Sequence, residues 1–138
     1  MKILLIDDEE VITNYFSQLA AARGIVDTEI DTAASGEAAL THVMRKNYDL
    51  ITLDIKMPGV SGLEILAMLR NMCPHAIIAI ISGYIPDEID DEVAGCVDVL
   101  IDKPINIDTF NKLLDYTQQI GQTMEQIRAL GMVPQGTR

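Results

Sequence analysis

The sequence predicts an α/β fold, a doubly wound parallel sheet of five strands alternating with five helices. Three observations predict it. Short apolar runs, too brief for helices, recur along the chain and end on Asp, Ser or Lys. Between them lie stretches whose apolar residues recur at helical spacing. Their regular alternation requires right-handed crossovers, which cover both faces of a parallel sheet with helices. At 138 residues, the chain suits one domain with a sizeable core.

Ile3-Leu4-Leu5-Ile6, closed by Asp7-Asp8, reads as a buried first strand. Val11, Tyr15, Phe16 and Leu19 then mark a helix up to Gly24, a residue suited to a helix end. From Ile25 to Ala33, Ile25, Val26 and Ile30 are mixed with Asp27, Glu29 and Asp31, the pattern of an edge strand. Ser35 is positioned to cap a helix carrying Ala38, Ala39, Leu40, Val43 and Met44. Tyr48 to Asp54 is the third strand, broken at Met57-Pro58-Gly59. Ser61 would cap the next helix, with Leu63, Ile65, Leu66, Met68 and Leu69, ended by Asn71 and Pro74.

Ala76 to Ile81 is the most uniformly apolar run and ends on Ser82-Gly83. A short acidic helix follows Pro86, Val97 to Ile101 forms the fifth strand, and Lys103-Pro104 breaks it. From Asn106, the residues Phe110, Leu113, Leu114, Ile120, Met124 and Ile127 continue a helix to about Leu130, and 131–138 reads as a frayed tail. The expected organisation is one domain over 1–120, followed by an extension of the last helix and a tail over 121–138.

Ten basic against twenty-one acidic residues give a net charge of −11, which opposes direct binding to nucleic acid or anionic membrane in the absence of a basic patch. The nearest candidate, Arg45-Lys46, is only a pair. Acidic residues 87–92 lack metal-loop spacing and read as a solvated helix face. Cys73 and Cys96 have no CxxC spacing and read as small core residues. The start "MKILLIDDEE" lacks a secretory apolar region, which points to the cytoplasm.

Residues at the carboxyl ends of neighbouring strands meet in one crevice of such a sheet. Here those ends carry Asp7 and Asp8, Asp54, Ser82 and Lys103. Two carboxylates ~4 Å apart near a surface repel by roughly 4 kcal/mol, so a pocket of three implies a divalent cation. Oxygen-only donors favour Mg²⁺ or Mn²⁺ over Zn²⁺. An Asp can attack phosphorus when metal and fixed positive charge offset the charge on the phosphoryl oxygens. In that chemistry Asp54 attacks, Asp7 and Asp8 hold metal, Lys103 pairs with one phosphoryl oxygen and Ser82 hydrogen-bonds another.

Each group has a plainer reading. Asp7-Asp8 suits a helix start, Asp54 a turn, Ser82-Gly83 another turn and Lys103-Pro104 a strand exit. Their conjunction at four strand ends makes the joint plain reading improbable.

The stretches "ILLIDDEE", "DLITLDIKMPGVSGLEIL", "AIISGY" and "VLIDKPI", in this order, resemble the receiver domain of two-component response regulators over about residues 1–120. The resemblance implies a flavodoxin-like fold with strand order 2-1-3-4-5. It implies phosphorylation of Asp54 from the phosphohistidine of a sensor histidine kinase or phosphotransfer protein. It further implies Mg²⁺ held by Asp8 and Asp54, with Asp7 and the backbone carbonyl of Lys56, and a signalling role rather than an enzymatic one. Ser82 would move toward the phosphoryl group, and output would pass through contacts with a downstream protein target whose identity the sequence does not disclose. The family's usual aromatic three residues before the lysine is here Leu100, which departs from its ordinary readout.

Three other functions compete. An aspartyl-nucleophile phosphatase needs a second Asp two residues after the first, where Lys56 stands. A flavin or nucleotide binder needs a phosphate-cradling loop where Asp7-Asp8-Glu9-Glu10 lies. A pseudo-receiver that only binds protein is opposed by the intact Asp54, Asp8, Ser82 and Lys103, and supported by Leu100. Leu113, Ile120 and Ile127, with Phe110 and Met124, resemble a short coiled-coil seam; beyond residue 120 they read as a helical connector or a homodimer contact.

Overall fold

The apolar runs form strands β1 (Lys2–Ile6), β2 (Glu29–Ala33), β3 (Leu50–Leu53), β4 (Ile77–Ser82) and β5 (Val99–Asp102). Between and after them run α1 (Glu10–Ala22), α2 (Gly36–Arg45), α3 (Gly62–Met72), α4 (Asp91–Ala94) and α5 (Ile107–Arg128). The structure, a computed structural model, describes residues 1–57, 59 and 62–135. The expected cap Ser61, the Pro58 of the expected turn and 136–138 of the expected tail lie outside the described residues.

All strands are parallel and lie in the order β2-β1-β3-β4-β5, as the resemblance implies. Alternate residues of the central strands feed two cores. Leu4, Ile6, Ile51, Leu53, Ile78 and Ile80 pack with Ile65, Leu66 and Leu69 of α3 and Ala39 and Val43 of α2. On the opposite face Ile3, Leu5, Leu50 and Ile81 pack with Phe16 and Ala20 of α1 and with Phe110 and Leu114 of α5. Phe16 and Phe110 stack with ring centroids 4.6 Å apart. A strand buried on both faces has little polar side to show, which is why Ile3–Ile6 of β1 and Ile77–Ile81 of β4 read as unbroken apolar runs and β3 carries only the buried Thr52 among its apolar residues.

The edge strands differ from the centre. β2 begins at Glu29 rather than Ile25, because residues 25–28 form a turn in which Asp27 adopts φ 59° and Val26 is exposed. Its acids are paired: Asp31 accepts hydrogen bonds from the Lys46 ammonium at 2.8 Å and the Tyr48 hydroxyl at 2.6 Å. β5 forms the other edge and leaves Val99 and Leu100 exposed. The acidic helix starts at Asp91, several residues after Pro86, where the Asp90 carboxylate accepts from the Glu92 N–H; residues 87, 88 and 90–92 are solvated as expected. Ser35 caps α2 by accepting from Ala38 N–H at 3.1 Å, and Asn106 caps α5 by accepting from Thr109 N–H at 2.7 Å. Cys73 is buried and Cys96 partly so, in keeping with small core residues. Among the described residues, no helix is long and apolar enough to cross a membrane.

Candidate functional site

The parallel ladder runs one residue past several strands and so fixes the backbones of the groups at their carboxyl ends. Asp7 N–H donates to the Ala33 carbonyl at 3.0 Å, Asp54 N–H to Ile6 at 2.9 Å and Lys103 N–H to Ser82 at 3.0 Å. Asp7, Asp54, Ser82 and Lys103 therefore sit on the rigid rim of the sheet, around a common crevice.

Asp54 is the hub. The residue is 5% exposed. Oδ1 accepts from the Ser82 hydroxyl at 2.8 Å and from the Lys56 backbone N–H at 3.1 Å, while Oδ2 faces the Lys103 ammonium at 3.2 Å. The same ammonium lies 2.6 Å from Asp7 Oδ2 and 3.9 Å from Glu9 Oε1. Asp7, 6% exposed, also accepts from the Glu9 backbone N–H at 2.9 Å through Oδ1. Each buried carboxylate is thus hydrogen-bonded and shares one cation, the condition under which buried charge is tolerated.

The electrostatics are finely divided. Burial pushes the Asp7 carboxyl above its ordinary value of 3.8, and the neighbouring charge of Asp54 adds to this; Lys103 and the Glu9 N–H oppose it without cancelling it. For Lys103, burial pulls downward, but the hydrogen bonds and charges of Asp7 and Asp54 outweigh it and hold the ammonium above 10.5. The lysine therefore remains a fixed cation through the whole neutral range.

The acids that converge among the described residues are Asp7, Glu9 and Asp54, with one oxygen from each within 4.8 Å of the others. Three hard carboxylate donors at this spacing fit a Mg²⁺-like or Ca²⁺-like ion and do not fit a thiophilic one. The sequence expectation placed Asp8 in this set. In the structure Asp8 is exposed and outside the trio, while Glu9, to which the sequence reading gave no ligand role, is inside it. The cause is local: Asp7 accepts the N–H two residues ahead, an Asx turn that carries Glu9 back toward the crevice.

Two further features escaped sequence reasoning. The Lys56 ammonium lies 5.4 Å from the centroid of the Tyr84 ring, and Tyr84 N–H donates to the Ser82 hydroxyl at 3.2 Å. Lys56, Asp54, Ser82 and Tyr84 consequently form one connected ring of contacts. The second is Gly62, at the start of α3, whose N–H donates to the Ile55 carbonyl at 3.3 Å. A Cβ there would lie 2.7 Å from Ile55 Cα and 2.8 Å from the Asp54 carbonyl oxygen, so α3 approaches the Asp54 backbone as closely as glycine permits. The Ser61-Gly62 pair at a helix start was the available signal. Gly59, at φ 79°, serves the turn after β3.

Comparison with known proteins matches this arrangement. Residues 3–115 match the family model described as the response regulator receiver domain. The chain is 32% identical over 114 residues to the transcriptional regulatory protein HprR of Escherichia coli K12, covering 83% of this chain and 48% of that protein. It therefore spans about half the length of the curated relatives it matches. The response regulator TrrA of Thermotoga maritima, solved in complex with Mg²⁺ and BeF, is 33% identical with a TM-score of 0.71, over 84% of this chain and 97% of that one. TrrA has also been solved in complex with the histidine kinase ThkA, at a TM-score of 0.70 and with the same coverage. The strand order, the acidic crevice and the match over residues 3–115 lead to one conclusion: this chain belongs to the response regulator receiver domain family, the signalling modules of two-component systems.

Proposed function

We propose that this domain accepts a phosphoryl group from a histidine kinase, or from a phosphotransfer protein, onto Asp54. The observation that carries the reading is the setting of Asp54: a buried carboxylate at a strand end, held by Ser82, Lys56 N–H and Lys103, beside two further carboxylates. A carboxylate oxygen of Asp54 attacks phosphorus, the P–N bond of the phosphohistidine breaks as the P–O bond forms, and the imidazole leaves with its electron pair. Lys103 then pairs with a phosphoryl oxygen, and the Ser82 hydroxyl turns from Asp54 to another. The likeness to a Mg²⁺-bound TrrA and the converging oxygens of Asp7, Glu9 and Asp54 support Mg²⁺ here, with Asp8, exposed beside the trio, and the Lys56 carbonyl as the further ligands that the resemblance implies. When bound, the ion offsets charge on the phosphoryl oxygens. The TrrA–ThkA complex supports a kinase as the partner.

The proposed receiver unit is 1–120, with 121–138 as an appended helix and tail. Its output passes through protein contacts. The domain assists its own phosphorylation and dephosphorylation and is otherwise a signalling module.

The test is incubation with a small acyl phosphate and Mg²⁺, followed by intact mass and peptide mapping. A single phosphate-sized gain on the Asp54 peptide, dependent on Mg²⁺ and absent in Asp54→Asn, is expected. No gain in the folded protein overturns the reading in favour of a protein-binding module that kept the fold without the chemistry.

The Lys56 ammonium lies against the Tyr84 ring, and Tyr84 N–H holds the Ser82 hydroxyl, so Lys56→Ala is expected to loosen this ring of contacts around phosphorylated Asp54 and speed its hydrolysis. The half-life of the phosphoprotein should shorten roughly threefold, the factor matching a cation–π contact of about 0.5–1 kcal/mol. Phosphate release after donor removal measures it, and an unchanged half-life rejects this role for Lys56.

A further inference from the structure

Beyond Thr117, helix α5 runs off the domain. The side that buries Phe110, Leu114 and Thr117 continues as Ile120, Met124 and Ile127, which are 48%, 41% and 52% exposed. The family match ends at residue 115, so this stripe lies beyond the matched residues. Between it and the amino-terminal edge of the sheet lies a groove of about 460 Å³. Ile77 and Met124 give the groove apolar lining, and Lys2 and Arg128 share it with Asp49 and Glu125.

We propose that a second copy of this chain covers this face, the two α5 extensions packing on each other's stripe and entering each other's groove about a two-fold axis. Charge argues for a like partner. Two molecules of net charge −11 repel over most of their surfaces. Residues 116–135 carry only Glu125 and Arg128, which cancel, so here two copies meet at a segment of no net charge. The groove likewise pairs two cations with two anions, and a surface bearing both signs can complement itself, as an isologous interface demands. Gln118, Gln119, Gln122 and Gln126 flank the stripe, and each amide both donates and accepts. The stripe is also continuous with the α5 seam already packed on Phe16 through Phe110.

Sedimentation of the full chain, without phosphodonor or Mg²⁺, tests this apart from any phosphorylation chemistry. Dimer is expected to accumulate across roughly 1–300 μM. Ile120→Glu with Ile127→Glu should raise the dissociation constant at least roughly a hundredfold while leaving the circular dichroism spectrum and melting temperature of the dilute monomer unchanged, since both side chains are exposed in the monomer. Arg128→Glu should weaken the dimer and Glu125→Arg added to it should restore it, a rescue that a folding defect would not produce. A chain that stays monomeric at the highest concentration overturns the proposal, whatever else then covers the face. So does a dimer that survives the paired glutamates, or an Arg128→Glu effect that the second substitution leaves in place.

Discussion

Replacing Lys103 with methionine is expected to cost about 3–5 kcal/mol of folding stability at neutral pH, the range for breaking a buried ion pair from one side. Its ammonium bridges Asp7 at 2.6 Å and Asp54 at 3.2 Å, and both carboxylates are buried. Without it, two buried carboxylates share the crevice with no ammonium between them. The pH dependence distinguishes this cause from lost packing. Asp7 already titrates above 3.8 in the folded protein, so folding binds a proton and stability falls as pH rises through that window. Losing Lys103 removes influences that lower the Asp7 pKa and carries the window further up.

The deficit of Lys103→Met should therefore be small near pH 4 and grow toward pH 8. In the parent protein, Lys103 contributes stability that is fully present below 10.5 and is lost as pH rises through its raised value; the variant should lack that alkaline component. Mg²⁺ should restore stability in the variant more than in the parent, because it replaces the missing cation without competing with one. Urea denaturation across this pH range, with and without Mg²⁺, makes the measurement. A deficit independent of both pH and Mg²⁺ would mean that Lys103 acts through packing alone.

Gly62→Ala is expected to destabilise by about 1–3 kcal/mol, and Gly62→Val by more. Two effects oppose each other. Alanine in a helix gains up to about 1 kcal/mol over glycine. Against this, the new Cβ meets the Ile55 Cα at 2.7 Å and the Asp54 carbonyl oxygen at 2.8 Å, backbone atoms that cannot swing aside as a flexible side chain can. The steric cost prevails, and relief requires α3 to withdraw from the end of β3. The same displacement moves Asp54, so phosphorylation by a small donor should slow in parallel with the loss of stability. Gly83→Ala supplies the control: its Cβ meets nothing within 4 Å, and its stability should change by no more than about 0.5 kcal/mol. Equal effects at the two positions would remove the steric explanation.

The central strands were legible because burial on both faces favours apolar residues, and the burial of Leu4, Ile51 and Ile78 accords with this. The edges were less so. Ile25 and Val26 looked like strand residues, yet the turn at Asp27 postpones β2 to Glu29, where pairing with β1 begins. Pro86 suggested a helix start, and the helix forms only at Asp91, where Asp90 can cap it. The cap Ser35, and the helix start at Asn106, were readable because the hydrogen-bond partners that make them lie three residues away.

From sequence came an α/β sheet and a set of acids, a hydroxyl and an ammonium at the ends of its strands, since strand ends and their chemistry are local properties. Their association is not local. Lys103 meets Asp7 across 96 residues and Asp54 across 49, and what closes those gaps is the parallel register of β1, β3, β4 and β5. The inward turn of Glu9, the approach of Gly62 to the Asp54 carbonyl and the ring of Tyr84 beneath Lys56 arise when backbones and side chains from separate segments share one volume. Hydrophobic period and turn chemistry act over a few residues and can be read along the chain; distances between strand ends depend on how the sheet is wound.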